Sequence, residues 1–239
     1  MGNQEREKKM EYLDEIDQIT INNPTIAPLK AQLANKRRFF AFKRCMDVCL
    51  ALVGAVLTIP FIILVGLAIK IEERNLFAKV LFIQERVGKD GKLFKMIKFR
   101  SMHEDAEERL KDLLAQNEIK GAMFKMKQDP RVTKVGRFIR KTSIDELPQF
   151  FNVLIGDMSI IGPRPPLMRE VVQYKDLDKA RLLVKPGITG LWQATLRNDA
   201  DFDTMVKLDI QYIKNLSIKN DLKIAIKTVW VMIHPNGAY

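Results

Sequence analysis

Two adjacent carboxylates, Asp145 and Glu146, lie in the stretch RKTSIDELPQF at residues 140–150. A carboxylate pair of this kind can act as a nucleophile, or it can bind a divalent cation and through it a phosphate. It can also simply cap a helix, because the residues from Ser143 to Glu146 match the capping-box pattern. From the local pattern alone, helix capping is the simpler interpretation.

Pro148 bears on where that helix begins. With Ser143 as the cap, Pro148 would fall at the fifth helical position, where its missing N–H matters. With Asp145 as the cap, Pro148 falls in the first turn, where that donor is not needed. The sequence therefore predicts a helix that starts at Asp145 and ends near Gly156. A carboxylate at a helix N-terminus is expected to stay ionised and to lie where a phosphate can bind.

Basic residues around the carboxylate pair favour chemistry on a diphosphate. Arg140 precedes the pair by five residues, and Arg164 lies between two prolines that restrict the backbone on both sides. A diphosphate site needs such guanidinium groups and an oxygen-ligated Mg²⁺ to offset negative charge in the transition state. Four further candidates, each more typical of an exposed charge when taken singly, are Lys98, Arg100, Arg197 and Asp209.

The overall charge also suits an anionic partner. Lys and Arg number 40 against 29 Asp and Glu, a formal net charge of +11 over 239 residues, which fits nucleic acid, acidic lipid or a phosphate-bearing substrate. Cys45 and Cys49 are too few for the disulfide framework of a small secreted protein, and their spacing offers no zinc site. The sequence has no phosphate-binding GxxxxGK[ST] or GxGxxG motif, and neither histidine lies in a catalytic pattern.

One segment is apolar enough to enter a membrane. The 22 residues from Val48 to Ile69 carry no charge, and about 20 suffice to cross a bilayer as a helix. Pro60 lies near its middle, and basic residues flank both ends. Because basic flanks favour the cytoplasmic side, a hairpin that enters and leaves by one face would satisfy both, whereas a kinked single-pass helix would satisfy only one. The residues alone leave these two topologies open.

The remaining pattern predicts a mainly helical α/β domain with a small β-hairpin. Asp90-Gly91 separates two apolar stretches, which is typical of a hairpin, and helices are expected near residues 103–117, 132–140, 167–174 and 202–216. VKPGITGLWQ, residues 184–193, is predicted to be turn and loop. Residues 221–233 suit an amphipathic helix at a membrane interface. The chain thus divides into a polar extension (1–38) without a signal-peptide pattern, a membrane helix and linker (39–80), and a catalytic domain (81–239).

Taken together, the motifs resemble a known family. They are FKRCMD before the proline-broken apolar run, IQERVGKDGKLFKMIKFRSM, DPRVTKVGRFIRKTSIDELPQFFNVLIGDMSIIGPRP, VKPGITGLWQ and MVKLDIQYIKN. This ordered series is similar to that of the bacterial sugar transferases, the monotopic phosphoglycosyl transferases. The resemblance extends from about Phe39 to Tyr239.

The resemblance implies an enzyme that transfers a sugar 1-phosphate from a UDP-sugar to undecaprenyl phosphate, with release of UMP and dependence on Mg²⁺. This would be the first membrane step of surface glycan synthesis. It also implies a re-entrant helix-break-helix at Pro60, with the catalytic domain on the cytoplasmic side of the bacterial inner membrane. The oligomeric state stays open, a homodimer included, as does the identity of the sugar.

The resemblance also implies roles for individual residues. Asp145 would be the nucleophile that attacks the β-phosphorus, and Glu146 would help it to bind Mg²⁺ or would orient the pair. Phosphate oxygens would be bound by Arg140, Arg164 and Arg197, with Lys98 as a further contact. Asp209 would be a polar member of the same site.

Two other functions remain as alternatives. A membrane-anchored basic adaptor would explain the net charge, but it leaves the clustered acids and arginines without a role. Nucleic acid is not an expected partner, because the sequence lacks the interleaved aromatic and basic residues that bind single strands. A conventional glycosyl transferase acting on a lipid acceptor is the nearer alternative, and it would release UDP instead of UMP.

Overall fold

The computed structural model describes residues 23–118, 124, 126, 128–196 and 200–233. Most of the predicted polar extension, together with Arg197, lies outside them. The helices are α1 (Ala27–Ala34), α2 (Arg37–Glu72), α3 (Ala106–Leu113), α4 (Lys134–Lys141), α5 (Gln149–Ile155), α6 (Met168–Val171), α7 (Phe202–Lys214) and α8 (Ile218–Ile233), and the strands are β1 (Leu81–Val87), β2 (Leu93–Phe99), β3 (Ser159–Ile161) and β4 (Gly187–Thr189). The predicted mainly helical fold is confirmed.

The predicted hairpin is also present. Strands β1 and β2 pair antiparallel, with Leu81 opposite Phe99 and Val87 opposite Leu93. Asp90 and Gly91 in the connecting turn both have positive φ, 55° and 76°, which Asp tolerates and Gly adopts freely. The hairpin brings Arg86 and Lys98 toward the rest of the domain.

A second, parallel pair of strands was not predicted. Ser159 lies opposite Gly187 and Ile161 opposite Thr189, so part of the segment predicted as loop forms strand β4. The two backbones approach so closely that a Cβ on Gly187 would lie 2.1 Å from the nitrogen of Gly162. This pair joins the segment around Arg164 to the turn that follows β4.

The apolar segment forms the longest helix, α2. Its 36 residues span about 54 Å, well beyond the roughly 30 Å hydrocarbon core of a bilayer. It is the one helix, among those described, that is long and apolar enough to cross a membrane. Helix α2 runs through Pro60 without interruption, so the predicted break at that residue is absent. Pro60 removes only one helical hydrogen bond, and buried residues on both sides, Thr58 before it and Val65 after it, hold the two halves against the domain.

One face of α2 packs along the domain, whereas the other is exposed and apolar. At Gly54 the helix passes so close to α5 that a Cβ there would lie 2.6 Å from the Phe150 ring. Near the end of α2, Glu72 accepts hydrogen bonds from the backbone N–H groups of Lys134 and Val135 at the start of α4. The exposed apolar face comprises Leu50, Leu52, Val53, Val56, Leu57, Ile59, Ile63, Leu64, Leu67 and Ile71.

A buried polar cluster holds the first turns of α2 in place. The Lys43 ammonium lies 2.7 Å from Asp221 and 3.8 Å from Asp47. Asp47 in turn accepts hydrogen bonds from the Ser159 hydroxyl and the Ile160 backbone N–H. Lys43 thus links α2 to α8, and Asp47, beside it, links α2 to β3.

We expect Lys43→Met to lower the free energy of unfolding by about 3–5 kcal/mol, because removing one partner leaves buried carboxylates without their cation. Arg38→Met, at an exposed position of the same helix, should change it by less than about 0.5 kcal/mol. Chemical unfolding of both variants in detergent micelles measures the difference. Equal effects of the two substitutions would contradict a structural role for the cluster.

Candidate active site

Asp145 lies in a single 3₁₀ turn, Ile144–Glu146, which precedes α5. The predicted helix start at Asp145 is therefore wrong, since α5 begins at Gln149 after Pro148. Pro148 cannot donate a hydrogen bond to the Ile144 carbonyl, and the Leu147 N–H closes the turn on that carbonyl instead. Ser143 enters the turn with a φ of 57°, in the left-handed region, and its side chain does not cap the turn.

The environment of Asp145 also differs from the prediction. Its side chain is buried, and burial raises the pKa of the carboxyl to about 6, with the neighbouring Glu146 charge adding to the rise. The Lys98 ammonium and the Arg140 guanidinium oppose this shift without cancelling it. The carboxylate is thus ionised at neutral pH, but its pKa lies close to that pH. A helix-capping position would instead have lowered the pKa below its ordinary value.

Lys98 pairs with both carboxylates. Its Nζ lies 2.7 Å from Glu146 Oε1 and 4.0 Å from Asp145 Oδ2. Asn152 fixes this geometry, because its side-chain amide donates to the Lys95 carbonyl and accepts from the Ile97 N–H, which holds α5 against β2. The two hydrogen bonds of Asn152 therefore fix Lys98 on β2 relative to the carboxylate pair that precedes α5.

Arg140 approaches the pair from α4. Its Nε donates to the Ser101 hydroxyl at 2.8 Å, and burial lowers the pKa of its guanidinium. Helix α4 can come this close because Gly136 has no side chain: a Cβ there would lie 2.0 Å from the Ser101 carbonyl oxygen. Thr133 caps the helix by accepting from the Gly136 N–H.

Arg164 lies in the loop between Pro163 and Pro165, where the sequence predicts a restricted backbone. Hydrogen bonds that the sequence does not predict also hold the loop. Its Nη1 donates to Glu170 Oε2 at 3.2 Å. Arg86 Nη1 donates to the Pro165 carbonyl, and the backbone N–H of Val87 donates to the Pro166 carbonyl. These bonds tie the C-terminal end of the loop to the hairpin, whereas Gly162 and Pro163 at its other end bond to the β4 segment.

These side chains line one large cavity of about 1340 Å³. Its wall includes Lys98, Arg140, Asp145, Glu146 and Arg164, so the structure brings together five of the predicted site residues. Arg100 also lines it, although its side chain pairs with Glu104. Apolar residues of α8, among them Val229 and Met232, form another part of the wall. The cavity thus combines an excess of cations, a carboxylate pair and an apolar side.

Asp209 does not reach this cavity. It is fully buried and accepts a hydrogen bond from Arg181 Nε at 2.8 Å, while Arg181 Nη1 donates to the Tyr174 hydroxyl. Burial raises the pKa of Asp209 to about 6 against the opposing effect of Arg181. Arg181 also reaches the Arg164 carbonyl at 3.4 Å. Asp209 is thus placed to support the proline loop from the core, not to touch a ligand in the cavity.

The acidic pair fits a magnesium ion held jointly with a substrate. Within the described ranges, no three His, Cys, Asp or Glu side chains cluster as a site built from protein ligands alone would require. Mg²⁺ is usually bound by one or two carboxylates together with substrate phosphates. Asp145 and Glu146 meet that requirement, and the mutual repulsion that contributes to the raised pKa of Asp145 is what a bound cation would relieve.

Comparison with known proteins identifies the family of this chain. A family model described as bacterial sugar transferase matches residues 38–235. The chain belongs to the bacterial sugar transferase family. That match includes all the residues that line the cavity, from Lys79 to Met232.

Several curated relatives are similar to this bacterial sugar transferase. Galactosyl transferase CpsE of Streptococcus agalactiae is 50% identical over 197 residues, which cover 82% of this chain and 43% of the relative. Undecaprenyl-phosphate galactose phosphotransferase of Salmonella typhimurium is 45% identical over 208 residues, 85% and 43% of the two chains. The exopolysaccharide production protein ExoY of Rhizobium meliloti is 38% identical over 201 residues, 82% and 88%. The chain thus spans less than half the length of the first two relatives and most of the third.

Sequence reasoning missed several charged residues of the cavity in this sugar transferase, among them Arg86. Arg86 is buried beside Arg164, and burial together with that neighbouring charge lowers the pKa of its guanidinium to about 9. It lies in the motif IQERVG, which was recognised as a motif, but its inward direction depends on the register of β1. The sequence offered no clear signal, because Gln84 and Glu85 directly precede this arginine in β1.

Asp145→Asn should stabilise the protein at neutral pH by on the order of 1–3 kcal/mol, because it removes a carboxylate whose ionised form is disfavoured by burial. A raised pKa places this destabilisation above about pH 6, and it fades as the pH falls from there toward 4. The variant should therefore have a higher free energy of unfolding than the parent at pH 7.5, and the difference should be small at pH 4. Unfolding curves of both proteins at the two pH values test this, and a variant less stable than the parent at pH 7.5 would refute it.

Proposed function

We propose that the chain transfers a sugar 1-phosphate from a UDP-sugar to undecaprenyl phosphate in surface glycan synthesis, and releases UMP. The observation that carries the proposal is the buried Asp145, with its Glu146 neighbour, among Lys98, Arg140 and Arg164 in one cavity. The names of relatives support the class of reaction, since one is an undecaprenyl-phosphate galactose phosphotransferase and another acts in exopolysaccharide production.

In the first step, an Asp145 oxygen attacks the β-phosphorus of the UDP-sugar. A bond forms between this oxygen and phosphorus, and the bond from the β-phosphorus to the bridging oxygen breaks, so that UMP leaves with the electron pair. In the second step, a phosphate oxygen of undecaprenyl phosphate attacks the same phosphorus and displaces the Asp145 carboxylate. Because the covalent intermediate separates the steps, the soluble and lipid substrates need not be bound together.

The neighbouring residues assist both steps through charge. Lys98, Arg140 and Arg164 would bind the phosphate oxygens and stabilise the negative charge that develops on them. Lys98 would exchange contacts between Glu146 and substrate, since its pairing with Glu146 leaves it within 4.0 Å of Asp145. Mg²⁺, held by Asp145 and Glu146 together with the diphosphate, would supply further positive charge.

We also propose that α2 is a monotopic membrane element whose two ends stay on the cytoplasmic side of the inner membrane. Both ends contact the same domain: Lys43 binds Asp221 at one end, and Glu72 caps α4 at the other. A helix that crossed the bilayer would carry one of these contacts to the far side. The apolar exposed faces of α2 and α8 would instead enter one leaflet, with the substrate cavity beside them.

Purified protein supplied with Mg²⁺, undecaprenyl phosphate and a panel of UDP-sugars should release UMP from at least one of them. Asp145→Asn should lower the rate at least 1,000-fold, because an amide cannot act as the nucleophile, while the variant still folds and enters membranes. Chromatography of the released nucleotide measures both. Release of UDP would identify a conventional glycosyl transferase. Near-normal UMP release from Asp145→Asn would show that Asp145 has a structural role and is not the nucleophile.

Cysteine labelling tests the topology. In a background with Cys45→Ser and Cys49→Ser, the exposed positions Arg38 and Lys79 on either side of the apolar segment are changed singly to cysteine. Neither should react with a membrane-impermeant maleimide in intact cells, and both should react after the cells are disrupted. Labelling of just one of them in intact cells would establish a helix that crosses the membrane.

A further inference from the structure

A small side pocket of about 120 Å³ is lined in part by Glu146 of the carboxylate pair. At roughly 30 Å³ per water molecule, it has room for about four waters or one small ring. Four segments meet around it: the hairpin, the turn that carries Glu146 with the start of α5, the proline loop, and β4 with the turn that follows. Its lining is Arg86, Met96, Lys98, Glu146, Gln149, Arg164, Pro165, Gly187, Ile188, Trp192 and Gln193.

Four lining side chains carry buried polar atoms that have no hydrogen-bond partner within the described residues. They are Arg86 Nε, Gln149 Nε2, Trp192 Nε1 and Gln193 Oε1. Gln149 is 2% exposed and Arg86 7%, so water does not readily replace the missing partners. Buried polar groups in folded proteins are nearly always bonded, and a cluster of exceptions around one pocket indicates a polar ligand.

The surrounding backbone fixes the residues that carry these unpaired polar atoms. Gln149 is the first residue of α5, directly after Pro148, and Asn152 on the next turn fixes that helix against β2. Gly190 leaves space for the Gln193 carboxamide, because a Cβ at Gly190 would lie 2.6 Å from Gln193 Oε1. Arg86 is held at its other nitrogens by the Pro165 carbonyl and by Gln84. The pocket is therefore preorganised by residues whose positions are set by the fold.

We infer that this pocket binds the sugar ring of the nucleotide-sugar donor, and that Gln149 and Gln193 determine which sugar is accepted. The inference rests on the proposed function and deepens it. The sugar is joined by a single oxygen to the phosphorus that Asp145 attacks, whereas the uracil base is separated from it by a second phosphate and a ribose. A ring pocket that shares Glu146 and Lys98 with the reaction centre lies where the sugar must be.

The hydrogen-bonding capacity of the pocket suits sugar hydroxyl groups. A hydroxyl both donates and accepts, so it can pair with the Gln149 amide N–H and with the Gln193 carbonyl oxygen. A site with buried polar groups discriminates strongly, because a sugar whose hydroxyl points elsewhere leaves those groups without partners. A lipid chain would not satisfy these atoms, and its place is the apolar side of the larger cavity.

Gln193→Leu and Gln149→Leu test the inference on the full chain in detergent micelles. The matched control is Gln211→Leu, an exposed glutamine on α7. Initial rates of UMP release are measured with UDP-linked galactose, glucose, N-acetylgalactosamine and N-acetylglucosamine. We expect kcat/KM for the preferred UDP-sugar to fall 10- to 100-fold in both pocket variants. The fall in kcat/KM for the UDP-linked epimer of that sugar should be smaller, so the ratio of the two kcat/KM values decreases. The control should keep the parental preference.

Inhibition by UMP separates the sugar pocket from nucleotide binding. Its inhibition constant should stay within twofold of the parent in all three variants, because UMP carries no sugar 1-phosphate. An unchanged ratio among the sugars, or a loss of UMP affinity in parallel with activity, would overturn the inference. Gln193 is only partly buried, so its variant decides the question if Gln149→Leu fails to fold. A parent protein that releases UMP from no UDP-sugar would instead overturn the proposed function.

Discussion

The packing of α2 against the turn that bears the carboxylate pair is the contact on which the rest of the site depends. Gly54 admits the Phe150 ring, and the Thr58 hydroxyl, bonded to the Gly54 carbonyl, lies 3.4 Å from the carbonyl of Leu147. Leu147 directly follows Glu146, so the apolar helix is one residue from the acidic pair. A soluble domain with a separate anchor would not need this contact. Here the long apolar helix supports the turn that carries the acidic pair, which ties the position of the pair to the exposed apolar face of α2.

The Asp145 carboxylate, proposed as the nucleophile, is buried beside this contact. Burial raises its pKa to about 6, and the nearby cations Lys98 and Arg140 limit the rise. A carboxylate with weakened solvation and a pKa just below neutral is ionised and more basic than an exposed aspartate, which favours attack on phosphorus. Burying this charge lowers the stability of the protein locally, as is common at active sites. The hydrogen bonds and ion pairs of Lys43 and Asn152 stabilise the surrounding elements and offset this loss.

Local patterns predicted those features that depend on a few neighbouring residues. Asp90-Gly91 indicated the hairpin, and the uncharged run indicated α2. The helix start at Asp145 was wrong because a proline in a first turn is compatible with both an α-helix and a 3₁₀ turn, and contacts with α2 and β2 decide between them. The strand pair β3 and β4 could not be predicted, since each strand has three residues and they meet only across 25 intervening residues of chain. The roles of Gln149 and Gln193 likewise arise from convergence of distant segments, whereas Asp209 was given a ligand-binding role that its burial against Arg181 does not offer.

The side pocket brings charged groups together with the neutral side chains of Gln149 and Gln193, and the two kinds of group differ in their functional consequences. In the proposed reaction the phosphates require cations around Asp145 whichever sugar is transferred, and a change to Lys98 or Arg140 would alter the pKa of Asp145 as well. Gln149 and Gln193 are uncharged, so substitution there can change hydrogen bonding to a ring without changing the field at the carboxylate. A scaffold of this kind can therefore acquire a different sugar preference while its phosphate chemistry stays the same, provided that the glutamine positions sit on backbone that α5 and β4 keep fixed.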